Sequence, residues 1–176
     1  IDEHYLNELF NVPKDSLDLI EISFGASANE GDLSVYQSMI NFITYNDLSN
    51  NIAFDSVKNF LDIDNFIDYQ ISNIFVSNRD WPSNNVRLWR KKVKVFNQAF
   101  VGPSDGRFRF ILYDTDLTLE NFSDINIAGL INSNSEYTLL FRKLLENQIF
   151  KNNFLSRFAD ILNTNFIPDR TVSIIN

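Results

Sequence analysis

The chain has 176 residues, of which 44% are apolar and 17 are Phe, enough for one well-buried domain but not for two. Its formal net charge of -8 and isoelectric point near 4.5 argue against nucleic-acid binding, because neutralising phosphates requires clustered Lys and Arg. The absence of cysteine excludes thiol catalysis, disulfides and Cys-ligated zinc. A free nucleotide that arrives with Mg²⁺ is compatible with this charge.

The sequence contains neither a membrane-span pattern nor a secretory-leader pattern. A membrane span would require a run of about 18 apolar residues, and a leader would require a basic segment followed by an apolar one; the sequence has neither. The single histidine, His4, lies in the polar stretch DEHYLNE, which disfavours a Ser-His-Asp triad. The chain begins with Ile1 rather than Met and enters in mid-pattern, so we interpret it as a fragment of a longer protein.

The first half of the chain alternates between helical and polar segments. Apolar spacing predicts a strand at 17–20 and helices near residues 5–10, 33–43, 53–61 and 66–75. The GASANEGD stretch, residues 25–32, is predicted to be a loop. Asp62 or Asp64 is expected to cap the last of these helices, which has a broad apolar face.

The second half predicts a hairpin followed by more helices. The polar segment SNRDWPSNN, residues 77–85, contains Pro82 and is predicted to be a loop. The strands at 86–90 and 108–113 are expected to form a β-hairpin with a long connection. Helical patterns return over 137–145 and 150–162. We therefore predict one α+β domain that is mostly helical and contains a small sheet.

The strand that precedes residue 114 stops abruptly at two carboxylates. In FILYDTDLTLE, residues 110–120, an apolar run is followed by Asp114 and Asp116. Two phosphate chemistries require acids at such a position. One belongs to phosphohydrolases with an aspartyl nucleophile, and the other to kinases that hold Mg²⁺ on an aspartate after a strand.

The polar loop at 77–85 favours the kinase chemistry. Asp80 and Asn85 lie five positions apart between a buried helix and the hairpin, whose return strand leads to Asp114. Phosphoryl transfer requires one carboxylate for the proton of the attacking hydroxyl, together with oxygen ligands for the metal ions. Eukaryotic-type kinases place these groups in HRDxxxxN, a short hairpin and DFG. Here NRD replaces HRD, and DTD replaces DFG.

Several segments together resemble the CotH kinases of spore coats, which are atypical protein kinases. The resemblance is carried, over nearly the whole chain, by IDEHYLNELFNV, LDIDNFIDYQISNIFVSNRDWPSNNVRLWR, GRFRFILYDTDLT and LFRKLLENQIFKNNFLSRFADILNT. It implies that residues 1–176 form a kinase-like C-lobe in which a small β-hairpin carries the metal site. It also implies ATP-dependent phosphoryl transfer to protein hydroxyls.

The resemblance assigns a role to each acidic or amide residue of the two motifs. By position, Asp80 corresponds to the catalytic aspartate. Asn85 and Asp114 correspond to metal ligands that bind the nucleotide, and Asp116 to a further acidic contributor at the metal. The implied cofactors are ATP and Mg²⁺ or Mn²⁺, and the implied partners are a nucleotide and a protein substrate. No nucleic acid and no membrane span are expected.

The resemblance also implies a part of the kinase that these residues lack. In the family, the segment before IDEHYL belongs to a nucleotide-clamping lobe that holds the ATP phosphates. Positioning supplies most of phosphoryl-transfer catalysis, so we expect the 176 residues alone to be inactive or nearly so. Family members tend to be secreted or cell-surface proteins of bacteria.

Three other interpretations stay open at this point. FILYDTDLT matches the hhhhDxDxT signature of haloacid-dehalogenase-type phosphohydrolases, with Asp114 as nucleophile, Asp116 as acid/base and Thr118 on the phosphate. That chemistry belongs to a parallel sheet and needs a later lysine, for which Lys143 and Lys151 are available, but the later acidic pair for Mg²⁺ and the βαβ alternation are both missing. An Asp-x-Asp pair can also bind Ca²⁺, although the EF-hand spacing is absent. The third interpretation is a non-catalytic surface binding or adhesion module.

One basic cluster stands out in this acidic chain. Its members follow the polar loop or lie in the hairpin: Arg79, Arg87, Arg90, Lys91, Lys92 and Lys94. The cluster predicts either a solvated face of the hairpin or a contact for phosphates or an acidic substrate. Trp81 and Trp89 are expected to pack in the core or against the hairpin rather than to stack on a ligand.

Overall fold

The computed structural model describes residues 1–94, 102–119 and 127–175, without the side chains of residues 169, 171, 174 and 175. The helices in these ranges are α1 (Glu3–Phe10), α2 (Ser34–Tyr45), α3 (Asn51–Val57), α4 (Ile63–Phe75), α5 (Ile127–Asn132), α6 (Leu139–Leu144), α7 (Gln148–Thr164) and α8 (Pro168–Ile175). The strands are β1 (Leu17–Ile22), β2 (Ala26–Glu30), β3 (Val86–Lys91) and β4 (Arg109–Ile111). The predicted mixture of helices with a small sheet is confirmed. Within the described ranges, every helix is too short or too polar to span a membrane.

The four strands form one antiparallel sheet in the order β2-β1-β3-β4. The predicted hairpin is confirmed as β3 and β4, in which Leu88 lies opposite Phe110. The second strand is shorter than predicted and ends at Ile111. Part of the hairpin connection, residues 95–101, lies outside the described residues.

The prediction of a loop at 25–32 is wrong, because most of this segment is the edge strand β2. Four of its five residues are exposed, and its only apolar residues are the small Ala26 and Ala28, so no large apolar side chains alternate to mark it as a strand. Its conformation depends instead on pairing with β1, which continues to the Ile22–Ala26 pair. An edge strand of this kind is determined by its neighbour rather than by its own hydrophobic pattern.

The sheet separates two groups of buried apolar side chains. Val86 and Leu88 of β3 pack in the larger group, together with the helices, while Trp89 belongs to the smaller group near α1. Trp89 stacks on Phe10 with ring centroids 5.0 Å apart, and Trp81 packs against the larger group. Both tryptophans therefore pack as predicted.

Helix α4 is joined to β4 by the side chain of Asn65. Its Oδ1 accepts from the Phe110 N–H at 2.6 Å, and its Nδ2 donates to the Phe110 carbonyl at 3.2 Å. The side-chain amide thus pairs with the outer edge of β4 as another strand would. The rings of Phe66 and Tyr69 cover Phe110 from the same helix, with centroids 5.1 and 4.9 Å away.

The start of α4 is fixed to the same strand by charged groups. Asp62 is the N-cap, as predicted, and accepts from the Asn65 N–H at 3.2 Å. It also pairs with Arg109 of β4 at 2.9 Å. Arg109 in turn makes two hydrogen bonds to Asp105, a residue only 1% exposed. Burial acts to raise the Asp105 pKa, but the bonds from Arg109 and Arg107 outweigh it and lower the pKa.

The C-terminal helices are joined to α3 by one buried amide. Asn147 is the N-cap of α7 and accepts from the N–H groups of Ile149 and Phe150. Its Nδ2 donates to the Leu48 carbonyl at 3.0 Å and to Asn51 Oδ1 at 3.1 Å. A single side chain thereby satisfies backbone groups at two helix boundaries.

The predicted basic cluster is divided by the alternation of β3. Arg90 is only 6% exposed and donates to Asp18 at 3.0 Å and to the Gly106 carbonyl at 2.9 Å. Arg87 lies on a different part of the surface and pairs with Glu21 at 3.1 Å. For Arg90, the prediction of a solvated face or phosphate contact is wrong, because this guanidinium is a buried structural group.

We predict that Asn65→Ala destabilises the chain by about 1–3 kcal/mol, because it removes two hydrogen bonds and leaves both Phe110 backbone groups without these partners. Asn59→Ala is the matched control, since Asn59 is an exposed Asn close by in the chain. Urea unfolding measures both changes. Equal losses in the two variants would contradict the role assigned to Asn65.

We predict that Gly31→Ala costs more than about 1 kcal/mol, because a Cβ would lie 2.2 Å from Asp18 Oδ1 at a residue with φ of +73°. Gly102→Ala is the control: φ is also positive there, at +103°, but nothing lies within 4 Å of the Cβ position. Both variants carry the cost of a positive φ, so the difference between their midpoints of thermal unfolding measures the effect of the contact between the Cβ and Asp18. A larger loss for Gly102→Ala would refute this explanation.

Candidate functional site

The loop that follows α4 is held in place by two buried asparagines. Asn78 donates from its backbone N–H to the Asn73 carbonyl at 3.1 Å and from Nδ2 to Asn73 Oδ1 at 2.9 Å. Asn78 Oδ1 then accepts from the Asp80 N–H at 3.2 Å. Asn73 and Asn78 are 2% and 8% exposed. These two residues position Asp80. The sequence analysis did not identify them as supporting residues. A polar residue within the apolar face of α4, such as Asn73, is the signal that could have indicated this role.

Asp80 and Asn85 are in direct contact, as a shared site requires. Asn85 Nδ2 donates to Asp80 Oδ2 at 3.0 Å, and both residues are half-buried. The Asn84 N–H donates to the Asp80 carbonyl at 3.0 Å and closes the loop between them. An ionised carboxylate can only accept, so the amide nitrogen of Asn85 must face Asp80, and its oxygen is the atom available to a metal.

The tip of the β1–β2 hairpin braces this loop from outside. The Phe24 N–H donates to the Ser83 carbonyl at 2.8 Å, and Ser23 Oγ donates to Asn84 Oδ1 at 2.8 Å. Both contacts join residues some 60 positions apart in the chain. The sequence analysis missed this support because it interpreted residues 25–32, which contain the second strand of the hairpin, as a loop.

The segment that carries Asp114 and Asp116 is bonded to the same loop through the backbone. The Leu119 N–H donates to the Val76 carbonyl at 2.8 Å, and the Arg79 N–H donates to the Leu117 carbonyl at 3.2 Å. These bonds bring the end of the β4 segment beside the end of α4. Asp114 adopts a φ of +52°, in the left-handed region that few side chains favour.

The acidic groups brought together here act on one another. Partial desolvation raises the pKa of Asp114, and interaction with the Asp116 carboxyl and the negative charge of Asp80 raise it further. Asp114 and Asp116 are both exposed. All four predicted site residues therefore lie at one place, and their concentration of negative charge and oxygen atoms suits a divalent cation.

The donor set fits Mg²⁺ or Mn²⁺ in chemical type. Asp114 and Asp116 offer carboxylate oxygens and Asn85 offers an amide oxygen, and Mg²⁺ commonly uses one or two carboxylates together with substrate phosphates and water. Across the described ranges, no group of three or more His, Asp or Glu is arranged to hold a metal ion by itself. Residues 95–101 and 120–126 are not among the residues that were searched for such a group.

A second set of side chains lies immediately beside Asp114. Tyr113 donates its hydroxyl to Glu21 at 3.4 Å, and Arg87 lies over the Tyr113 ring at 4.8 Å. Arg87 also donates to Glu21 at 3.1 Å. The three side chains connect β1, β3 and the segment after β4, so they fix the residue before Asp114. Residue spacing alone gives no signal for this contact.

The phosphohydrolase interpretation does not fit this arrangement. The strands pair antiparallel, whereas that signature belongs to a parallel doubly wound sheet. Thr118, the expected phosphate ligand, donates its hydroxyl to the Thr115 carbonyl at 2.8 Å. His4 is exposed and pairs with Glu3 at 3.1 Å, so its contacts lie away from the site residues.

We predict that the Asp114 carboxyl titrates above its usual 3.8 and that Asp116→Asn lowers its pKa more than Asp80→Asn does. Asp116 supplies both a side-chain interaction and a charge, whereas Asp80 supplies a charge alone. Carbon-detected NMR of the side-chain carboxyls measures these values. Because the folded chain holds this proton more tightly than the unfolded chain, this group reduces stability as pH rises from 3.8 through the folded pKa. An Asp114 pKa at or below 3.8 would contradict the geometry.

Comparison with known proteins places the chain in a family. The family model described as CotH kinase protein matches residues 15–176, which include every residue of the candidate site. No curated protein and no solved structure gives a significant match. Since the match covers most of the chain and agrees with the motifs around Asp80 and Asp114, the chain belongs to the CotH kinase family.

Proposed function

We propose that this chain carries the phosphoryl-transfer site of an ATP-dependent protein kinase. The observation that carries the proposal is the contact between Asp80 and Asn85, held by backbone bonds beside the acidic segment at Asp114. The kinase family of the chain supports the same reaction class. The proposed partners are a nucleotide and a protein substrate with a free hydroxyl.

In this proposal Asp80 is the catalytic base. Its carboxylate accepts the proton of the substrate hydroxyl while the hydroxyl oxygen forms a bond to the γ-phosphorus and the bond from that phosphorus to the ADP oxygen breaks. The amide of Asn85 holds Asp80 at 3.0 Å, so the carboxylate is oriented before the substrate binds. General base catalysis of this kind contributes about 10²- to 10⁴-fold in rate.

Asp114, Asn85 and Asp116 would hold the metal ions. A bound Mg²⁺ or Mn²⁺ supplies positive charge that neutralises the triphosphate and the charge that develops on transfer. The raised pKa of Asp114 supports this role, because carboxylates that repel one another are relieved by a cation. Asp116 adds a second carboxylate charge beside Asp114.

We propose that full activity requires the nucleotide-clamping lobe that the resemblance implies in the segment before IDEHYL. Phosphoryl transfer depends on holding the nucleotide in line with the acceptor hydroxyl. The site residues described above supply the base and the metal ligands, while the nucleotide-clamping lobe would bind the ATP phosphates. Binding of Mg-ATP by the 176 residues alone is then expected to be weak.

We predict that Asp80→Asn preserves Mg-ATP binding but lowers phosphate transfer at least about 100-fold, whereas Asp114→Ala weakens Mg-dependent nucleotide binding itself. Asp160→Asn is the matched control, since Asp160 is an exposed aspartate in α7. Both effects are measured in the longer chain that includes the upstream segment, by transfer of labelled γ-phosphate to casein and by calorimetric titration with Mg-ATP. Wild-type behaviour of both site variants would refute the site assignment.

The same assay tests the proposed division of the kinase into two parts. We expect label to be transferred by a chain that includes the upstream segment and not, or barely, by the 176 residues alone. Equal turnover by both would contradict the need for a clamp. If neither chain transfers label or binds Mg-ATP, the kinase proposal fails in favour of a non-catalytic binding module.

A further inference from the structure

A cavity of about 370 Å³ lies between the sheet and the helices, beside the Asp80 loop. Its volume falls in the range of small-molecule sites, which is about 300–1,000 Å³. Trp81, which directly follows Asp80 in the chain, contributes a half-buried ring to the wall. Four buried aromatic residues line the inner part of the cavity: Phe66, Tyr69, Phe110 and Phe141. A ligand in this space would therefore meet several aromatic rings.

The polar side chains at the outer part of the cavity include one formal charge. Glu136 and Thr44 line the cavity and are exposed, while Tyr36 and Tyr137 are half-buried. The Thr44 hydroxyl donates to the Ile40 carbonyl of its own helix at 2.7 Å. Of the described residues that line the cavity, Glu136 alone is charged. Its carboxylate is thus the group that would select the charge of a ligand.

The Glu136 carboxylate acts on two tyrosines of the cavity wall. Burial raises the pKa of the Tyr36 hydroxyl to about 12, and the negative charge of Glu136 contributes to this rise. Partial desolvation, the Glu136 charge and a side-chain interaction with its carboxyl raise the pKa of Tyr137. Tyr36 belongs to α2, whereas Tyr137 directly follows Glu136 in the chain. The carboxylate therefore lies close to wall residues from two separate parts of the fold.

The segment that carries Glu136 is fixed without using up its charge. The Ser135 carbonyl accepts from Thr138 Oγ1 at 3.0 Å and from Arg142 Nη2 at 3.1 Å. Arg142 Nε also donates to Thr138 Oγ1 at 3.0 Å. Within the part of the chain that the structure describes, no Lys or Arg forms an ion pair with the Glu136 carboxylate. This carboxylate is therefore available to a cationic ligand.

We propose that the cavity binds a small organic ammonium compound, with its apolar body among the inner rings and its ammonium group beside Glu136. A hydrogen bond from an ammonium group to a carboxylate is charge-assisted, and a cation is also attracted to the faces of aromatic rings. An uncharged ligand of the same shape would displace water from Glu136 without supplying a positive charge. None of the four proposed catalytic and metal-binding residues lines the cavity, and this inference does not rest on the proposed kinase activity.

The test compares phenethylamine with phenethyl alcohol, an uncharged molecule of nearly the same size that keeps the ring and a polar end group. Both are titrated calorimetrically into the longer chain that includes the upstream segment. Phenethylamine is expected to bind saturably and about tenfold more tightly than phenethyl alcohol, because only the amine is a cation. Absence of saturable phenethylamine binding, or equally tight binding of the alcohol, would overturn the proposal.

Two charge variants separate the Glu136 carboxylate from the general attraction of an acidic chain for cations. Glu136→Gln changes an exposed side chain and should make phenethylamine bind as weakly as the alcohol. Glu8→Gln is the matched control: Glu8 is an exposed residue of α1 outside the cavity, and its loss changes the formal net charge of -8 by the same amount. The control should keep the tenfold preference. A preference that survives in Glu136→Gln, or is lost in Glu8→Gln, would overturn the proposed contact.

A third variant tests whether the probes occupy the cavity. Ile40→Phe inserts a larger side chain from α2 and should weaken the binding of both probes about tenfold or more, because part of the space is then filled. Circular dichroism and thermal unfolding establish that the variant is folded. Should it not fold, Leu139→Phe fills the same cavity from α6. Unchanged affinity for phenethylamine in a folded variant would overturn this location.

Discussion

The pairing of Asn65 with the backbone of Phe110 is the contact on which the placement of the site depends. Strand β4 has three residues and lies at the edge of the sheet, so it needs a partner on its open side. Asn65 provides this partner from α4 with one donor and one acceptor. These hydrogen bonds join the helix that leads to Asp80 and the strand that leads to Asp114 into one frame.

This frame holds carboxylates together against their mutual repulsion. Beyond the frame, backbone hydrogen bonds from Leu119 to Val76 and from Arg79 to Leu117 bring the two acidic segments side by side. Desolvation, the neighbouring Asp116 carboxyl and, least of all, the charge of Asp80 raise the pKa of Asp114, and a cation would offset the repulsion among these carboxylates. Among the described residues, backbone hydrogen bonds and the buried amides of Asn73 and Asn78 position the acidic segments.

The sheet divides the region into two chemically different sides. Next to Asp114, one side of the sheet carries the polar contacts of Glu21, Arg87 and Tyr113, while the opposite side is lined mainly by apolar residues and contains a cavity. The loop from Asp80 to Asn85 lies between them, because Trp81 lines the cavity while Asp80 contacts Asn85. One loop therefore contributes to both places.

The sequence by itself determined the features that depend on neighbouring residues: the helical faces, the Asp62 cap, the β3–β4 hairpin, and the motifs that identify Asp80, Asn85, Asp114 and Asp116 as one set. Periodicity and capping act over a few residues, so they are visible in the chain. Tertiary structure alone decided the edge strand β2, the burial of Arg90 against Asp18, the support from Asn65, Asn73 and Asn78, and the cavity beside Glu136. Each of these depends on a partner distant in sequence or on the space between elements, and a polar residue looks the same in sequence whether water or a buried backbone group satisfies it.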